Sequence, residues 1–215
     1  MMRSTNSHPL MLSLSKHFSF FKKKGPSTSS GRALVGVLGL LSTPALAHPG
    51  HLHMSGFMAG LLHPITGLDH LAAMLLVGLW AGTVFRQQLI VPPLAFVAFM
   101  LTGFVYGALG GGLPLTEMLI LASVIVLGAM VLFEVKPPLV IASALIALFA
   151  FAHGHAHGAE MPADAHVLSF GAGFALMTAA LHTAGVGLAL LANRPTARAI
   201  GGGAAAFGLV WMFAT

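Results

Sequence analysis

From His48 to Thr215 the chain carries four basic and five acidic side chains, and between them apolar residues run in six successive stretches of membrane length. Lipid offers backbone amides no partner, so only helices or a closed barrel can carry such stretches. Unbroken apolarity of this length is a helix signal, because strands are short or alternate. The segments fall at about 55–85, 89–109, 115–134, 138–153, 165–192 and 195–214, the first broken by Pro64. Pro92, Pro93, Pro114, Pro137, Pro138 and Pro195 sit near segment starts, where the missing amide is tolerated. The expected fold is all-α: a polytopic membrane bundle of about six transmembrane helices.

Only 7% of residues are charged, against about 25% in soluble domains. The formal charge of +5 misleads, because six of the ten Lys and Arg lie before residue 33. From His48 onward Arg86, Lys136, Arg194 and Arg198 face Asp69, Glu117, Glu134, Glu160 and Asp164, a balance of −1. The basic character belongs to the leader and gives no reason to expect nucleic acid as a partner. With no cysteine in the chain, disulfides, thiolate metal sites and cysteine nucleophiles are excluded.

Residues 22–47 read as a secretory signal. A cluster of Lys22, Lys23 and Lys24 precedes an apolar run from Ala33 to Leu46, and Ala45-Leu46-Ala47 offers a small-x-small cleavage site. The run of about 14 residues is too short to span comfortably, with an uncleaved anchor as the alternative. Residues 1–21 are odd for an n-region. The expected organisation is an extension plus signal peptide at 1–47 and a six-span domain at 48–215, with cleavage after Ala47. If the mature N-terminus is outside, Arg86, Lys136, Arg194 and Arg198 all fall in inside loops, as the positive-inside rule requires. The outside loops, near 110–114 and 153–164, then hold none. Glycines four apart, among them Gly78 with Gly82 and Gly103 with Gly107, are read as close helix packing.

That topology gathers the histidines. His48, His51 and His53 lie at the outside terminus, either collecting metal or simply solvated. Pro49 lacks the amide that a terminal chelate would use. His153, His155, His157 and Glu160 are expected in the outside loop between the fourth and fifth spans. If that run is helical, His153 and His157 share a face and Glu160 follows three residues on. His63, Asp69 and His70 sit in the first span, across a break at residues 64–67. Ionisable groups in apolar sequence point to function by default, and an interrupted helix frees backbone groups beside a site. Met74 shares a face with His70 and either adds a thioether or fills the core. His182 lies inside the fifth span, where a carbonyl could satisfy it. Imidazole with carboxylate suits nickel, cobalt, zinc or copper better than magnesium or calcium.

Two runs resemble the HupE/UreJ family of bacterial nickel permeases and hydrogenase or urease accessory proteins. The first is His63-Pro64…Gly67…Asp69-His70…Met74…Gly78…Trp80-Ala81, similar to the family's His-x5-Asp-His signature. The second is Phe151…His153-Gly154…Ala156-His157-Gly158…Glu160, similar to its Phe-His-Gly-x-Ala-His-Gly-x-Glu motif with Ala152 inserted. Leu181-His182…Gly185 is a weaker third match. The long N-terminal extension departs from the family. The resemblance implies a six-span inner-membrane permease with a cleaved signal and a periplasmic mature N-terminus. Its transported substrate would be Ni2+, with Co2+ the rival, and no cofactor would be permanently bound. It implies that His63, Asp69, His70 and Glu160 are needed for transport, and that the metal serves hydrogenase or urease maturation. Two other readings stay open: a membrane haem protein with His70 and His182 as axial ligands, and an accessory protein that binds metal without transporting it. His-Glu-x-x-His and Gly-x-Ser-x-Gly are both missing, so an enzyme is not expected.

Overall fold

The computed structural model describes residues 56–214. The expected signal segment, its cleavage site, the boundary after residue 47 and His48, His51 and His53 lie outside the described residues. Within them the chain forms seven α-helices and no strand: α1 (Gly56–Leu62), α2 (Leu68–Val84), α3 (Val91–Ala108), α4 (Thr116–Leu132), α5 (Leu139–Ala159), α6 (Val167–Leu191) and α7 (Arg194–Ala214). A 3-10 turn at His63–Ile65 follows α1.

All six expected segments are therefore helical. The helices α3, α5, α6 and α7 are long and apolar enough to cross a membrane, and α1 with α2 makes a fifth crossing if the bent pair counts as one. The sixth, α4, has 17 residues; at about 1.5 Å per residue it reaches about 25 Å, short of the roughly 30 Å hydrocarbon layer. Large apolar side chains such as Val140, Leu168, Leu191 and Phe213 point outward, as a lipid-facing surface requires.

Helices gain no hydrophobic drive toward one another in lipid, so association rests on close packing. The most intimate pair is α3 with α5, followed by α2 with α6 and α4 with α7. Glycines make the first contact. A Cβ on Gly103 would run into the Phe151 carbonyl, and one on Gly154 into that of Met100. Gly107 and Gly158 are equally tight against the carbonyls of His155 and Phe104. Gly78 and Gly185 bring α2 and α6 together in the same way. Between the helices Trp80, Phe96, Phe104, Phe170 and Phe174 are fully buried.

One expectation is corrected. The region 153–164, expected as an outside loop, is helical as far as Ala159, and it buries His153, His155 and His157. Gly154 and Gly158 resemble loop residues in sequence, but they form the face that α5 presses onto α3. The connecting segment begins at Glu160.

The expected break in the first span is present. Pro64 sits in the 3-10 turn, Gly67 is extended (φ −102°, ψ 124°), and the two halves bend by 81°. Thr66 steadies the corner by donating from its amide and its hydroxyl to the His63 carbonyl, at 3.1 and 2.7 Å. The corner brings His63, just past α1, and His70, in the first turn of α2, against the same residue of α5.

Candidate metal centre

That residue is His157. Its ring centroid lies 4.7 Å from that of His63 and 4.4 Å from that of His70. His70 in turn lies 4.9 Å from His153, one turn deeper on α5. Four imidazoles thus form a connected column, with Glu160 at its mouth and Asp69 at its side. The i, i+4 spacing of His153 and His157 and the further three residues to Glu160 place all three along the face of α5 that meets the α1–α2 corner.

At the mouth, ligand atoms of His63, His157 and Glu160 all lie within 4.8 Å of one another, a spacing that one bound cation would draw together. Nε2 of His63 approaches a Glu160 carboxylate oxygen at 3.3 Å. The approach is close enough for an ion pair but is not aligned as a hydrogen bond. His63 beside it, outweighing the opposing effect of burial, holds the Glu160 carboxyl below the usual carboxylate range.

Deeper in, hydrogen bonds fix which nitrogen carries the lone pair. Asp69 Oδ1 accepts from the His70 backbone amide and from His70 Nδ1, both at 2.8 Å. A carboxylate only accepts, so Nδ1 holds the proton and Nε2 is left as the donor to an ion. Gly67 permits this pairing; a Cβ there would crowd Asp69 Oδ1 and His70 Nδ1 at 3.0 Å each. Ser123, on α4, plays the corresponding part for His153. Its hydroxyl donates to the Ile120 carbonyl at 2.6 Å, so it accepts from His153 Nε2 at 3.0 Å and leaves Nδ1 with the lone pair. Orientation of metal-binding imidazoles by an outer partner is a general feature of metal sites. The freed atoms, His70 Nε2 and His153 Nδ1, are buried and have no partner, as are both nitrogens of His157. Each such atom costs about 1–3 kcal/mol if nothing binds it.

The other expected residues separate from this column. His155 faces α3 and the start of α4. Its Nε2 donates to the Gly111 carbonyl at 2.8 Å, and its Nδ1 meets the Thr116 hydroxyl at 3.1 Å. With both nitrogens engaged, it fastens a loop. Met74 is fully buried and accepts a hydrogen bond from Thr178 at 3.5 Å. His182, on α6, is buried with neither nitrogen partnered, so no carbonyl satisfies it, and Phe96 stands between it and His153. Ser123 was not among the expected site residues. Its sequence signal is slight: a single hydroxyl within an aliphatic helix.

The family model described as HupE / UreJ protein matches residues 36–211. The chain is 42% identical over 177 residues to "Protein HupE" of Rhizobium leguminosarum bv. viciae, a stretch covering 80% of this chain and 92% of that protein. No solved structure matches.

Proposed function

This chain belongs to the HupE / UreJ family, and on that premise we propose that it is a secondary-type permease importing Ni2+ across the bacterial inner membrane. The observation that carries the reading is the column of imidazoles in a multi-pass bundle, with unpartnered lone pairs on His70, His153 and His157. Ring centroids 4.4 to 4.9 Å apart suit a small ion. The ion is cargo, and no reaction is assigned to the chain.

Glu160 and His63 capture the cation at the mouth, and His157 passes it to His70 and His153. Asp69 acts through His70, fixing its tautomer and supplying the negative charge that makes a cation welcome. Imidazole and carboxylate together suit late first-row divalent metals. A site that must also release its ion is better built from neighbouring weak positions than from one tight cage. With a periplasmic N-terminus and Arg86, Lys136, Arg194 and Arg198 inside, an inside-negative potential favours entry by about 2.3 kcal/mol per charge per 100 mV. Residues 1–47 then act as extension and cleaved signal, and the delivered metal serves hydrogenase or urease maturation.

The deciding experiment is uptake of radioactive Ni2+ into proteoliposomes under an inside-negative potential, with Co2+ and Zn2+ as competitors. Saturable uptake that collapses in Asp69→Ala is the expected result. Undiminished uptake in that variant overturns the mechanism, and tight binding without uptake identifies a metal-holding accessory protein instead.

A further inference from the structure

Below His153 the column stops at an aromatic ring. Phe96, fully buried on α3, lies 5.7 Å from the His153 ring on one side and 4.9 Å from the His182 ring on the other, the latter edge to face at 85°. His182 is 1% exposed, and both its nitrogens lack partners. Beyond it, between α3 and α6, lies an open groove of about 540 Å3, apolar apart from His182 and Thr183 and lined by Leu89, Ile90, Pro93 and Leu94 among others. Leu89 and Ile90 belong to the α2–α3 connection that carries Arg86, at the opposite end of the bundle from Glu160.

We propose that His182 is a second, inner station for the metal ion, separated from the imidazole column by Phe96 acting as an apolar gate. The inference rests on the transport reading above and extends it by a residue pair. An unpartnered imidazole in lipid is costly and points to function. Apolar constrictions close a path to hydrated ions until a side chain moves. A phenyl ring suits that position because its face tolerates a passing cation better than an aliphatic side chain would. The ion leaves His153 Nδ1, the Phe96 ring swings aside, and His182 receives the ion above the groove. Two stations with a ring between them allow occupancy to alternate, so no continuous pore is required.

Equilibrium Ni2+ binding and vesicle Ni2+ uptake, measured side by side on the full-length protein, test this. In His182→Leu, binding to the column stays within about twofold of wild type, while uptake falls at least about tenfold. His182→Gln, which keeps a buried polar group, shows the same split and covers the case in which leucine disturbs packing. Phe96→Ala speeds efflux of preloaded Ni2+ by several-fold, whereas Phe96→Leu, which keeps the plug but loses the ring face, slows it. Wild-type uptake in both His182 variants overturns the inner station. Loss of Ni2+ binding along with uptake, in protein that remains folded, places His182 within the column and also overturns it. Unchanged efflux in Phe96→Ala removes the gate. Failure of the wild-type protein itself to move Ni2+ is a separate result, which refutes the transport reading before either variant is made.

Discussion

The two ends of the bundle treat polar atoms in opposite ways. At the arginine end, Arg198 donates to the Leu132 carbonyl and Trp80 to the Val135 carbonyl, both at 2.9 Å. Arg194 approaches Glu134 at 3.7 Å, and the Lys136 ammonium sits 6.0 Å from the Phe85 ring centre. These contacts tie off the end of α4 and the segment after it. At the histidine end the reverse holds. Among the described residues, every buried side-chain nitrogen or oxygen without a hydrogen-bond partner belongs to a histidine. One end spends its polar groups on holding helices together; the other leaves lone pairs of its imidazole column unsatisfied, as a binding site must.

Substitutions at the two ends should therefore fail in different ways. The largest effect is expected from His70→Ala combined with His157→Ala. Ni2+ affinity should fall by more than the roughly 10–100-fold that loss of a supporting partner costs, with the melting temperature unchanged or raised. A melting temperature that drops with affinity would mean the column is structural after all. Next comes Asp69→Asn, whose amide can donate to Nδ1 and reverse the tautomer of His70. Titration should find Ni2+ affinity reduced about 10–100-fold, and Ser123→Ala should land in the lower part of that range. If both bind as wild type does, the fixed-tautomer argument is wrong.

Gly154→Leu is expected to break the contact between α3 and α5, costing about 1–3 kcal/mol of stability or more and disordering His153 and His157 together. Binding that survives this change would separate the motif glycine from the site. Smaller still is Trp80→Phe, which strips the donor from the Val135 carbonyl for about 1 kcal/mol. It should lower the melting temperature and leave Ni2+ binding alone; altered binding would end the contrast between the two ends.

Much of this was legible in the sequence. Six apolar stretches gave six helical segments, and Pro64 with Gly67 marked the break where the first span turns. The site was legible by residue type, but its depth was not. His153 and His157 read as outside residues because the fourth apolar stretch ends at about residue 153, and nothing local says that Gly154 and Gly158 are pressed against another helix. The spacing did carry one distinction: with 3.6 residues per turn, His155 had to face away from its neighbours two residues either side. Ser123 stayed hidden because its meaning lies in a partner 30 residues away, and α4 falls short of a full crossing for reasons that hydropathy alone does not carry.

The direction of α5 has a consequence of its own. The helix runs toward the site and ends beside it, with Glu160 as its C-cap. Its aligned peptide dipoles therefore bring about half an elementary negative charge to the place where a cation must shed water. The opposing positive end of α2 arrives at the same place, but Asp69 sits in its first turn and offsets it. The α5 contribution is independent of pH, but the mouth is net anionic only while Asp69 is ionised, which makes that carboxylate the partner of the α2 dipole as well as of His70.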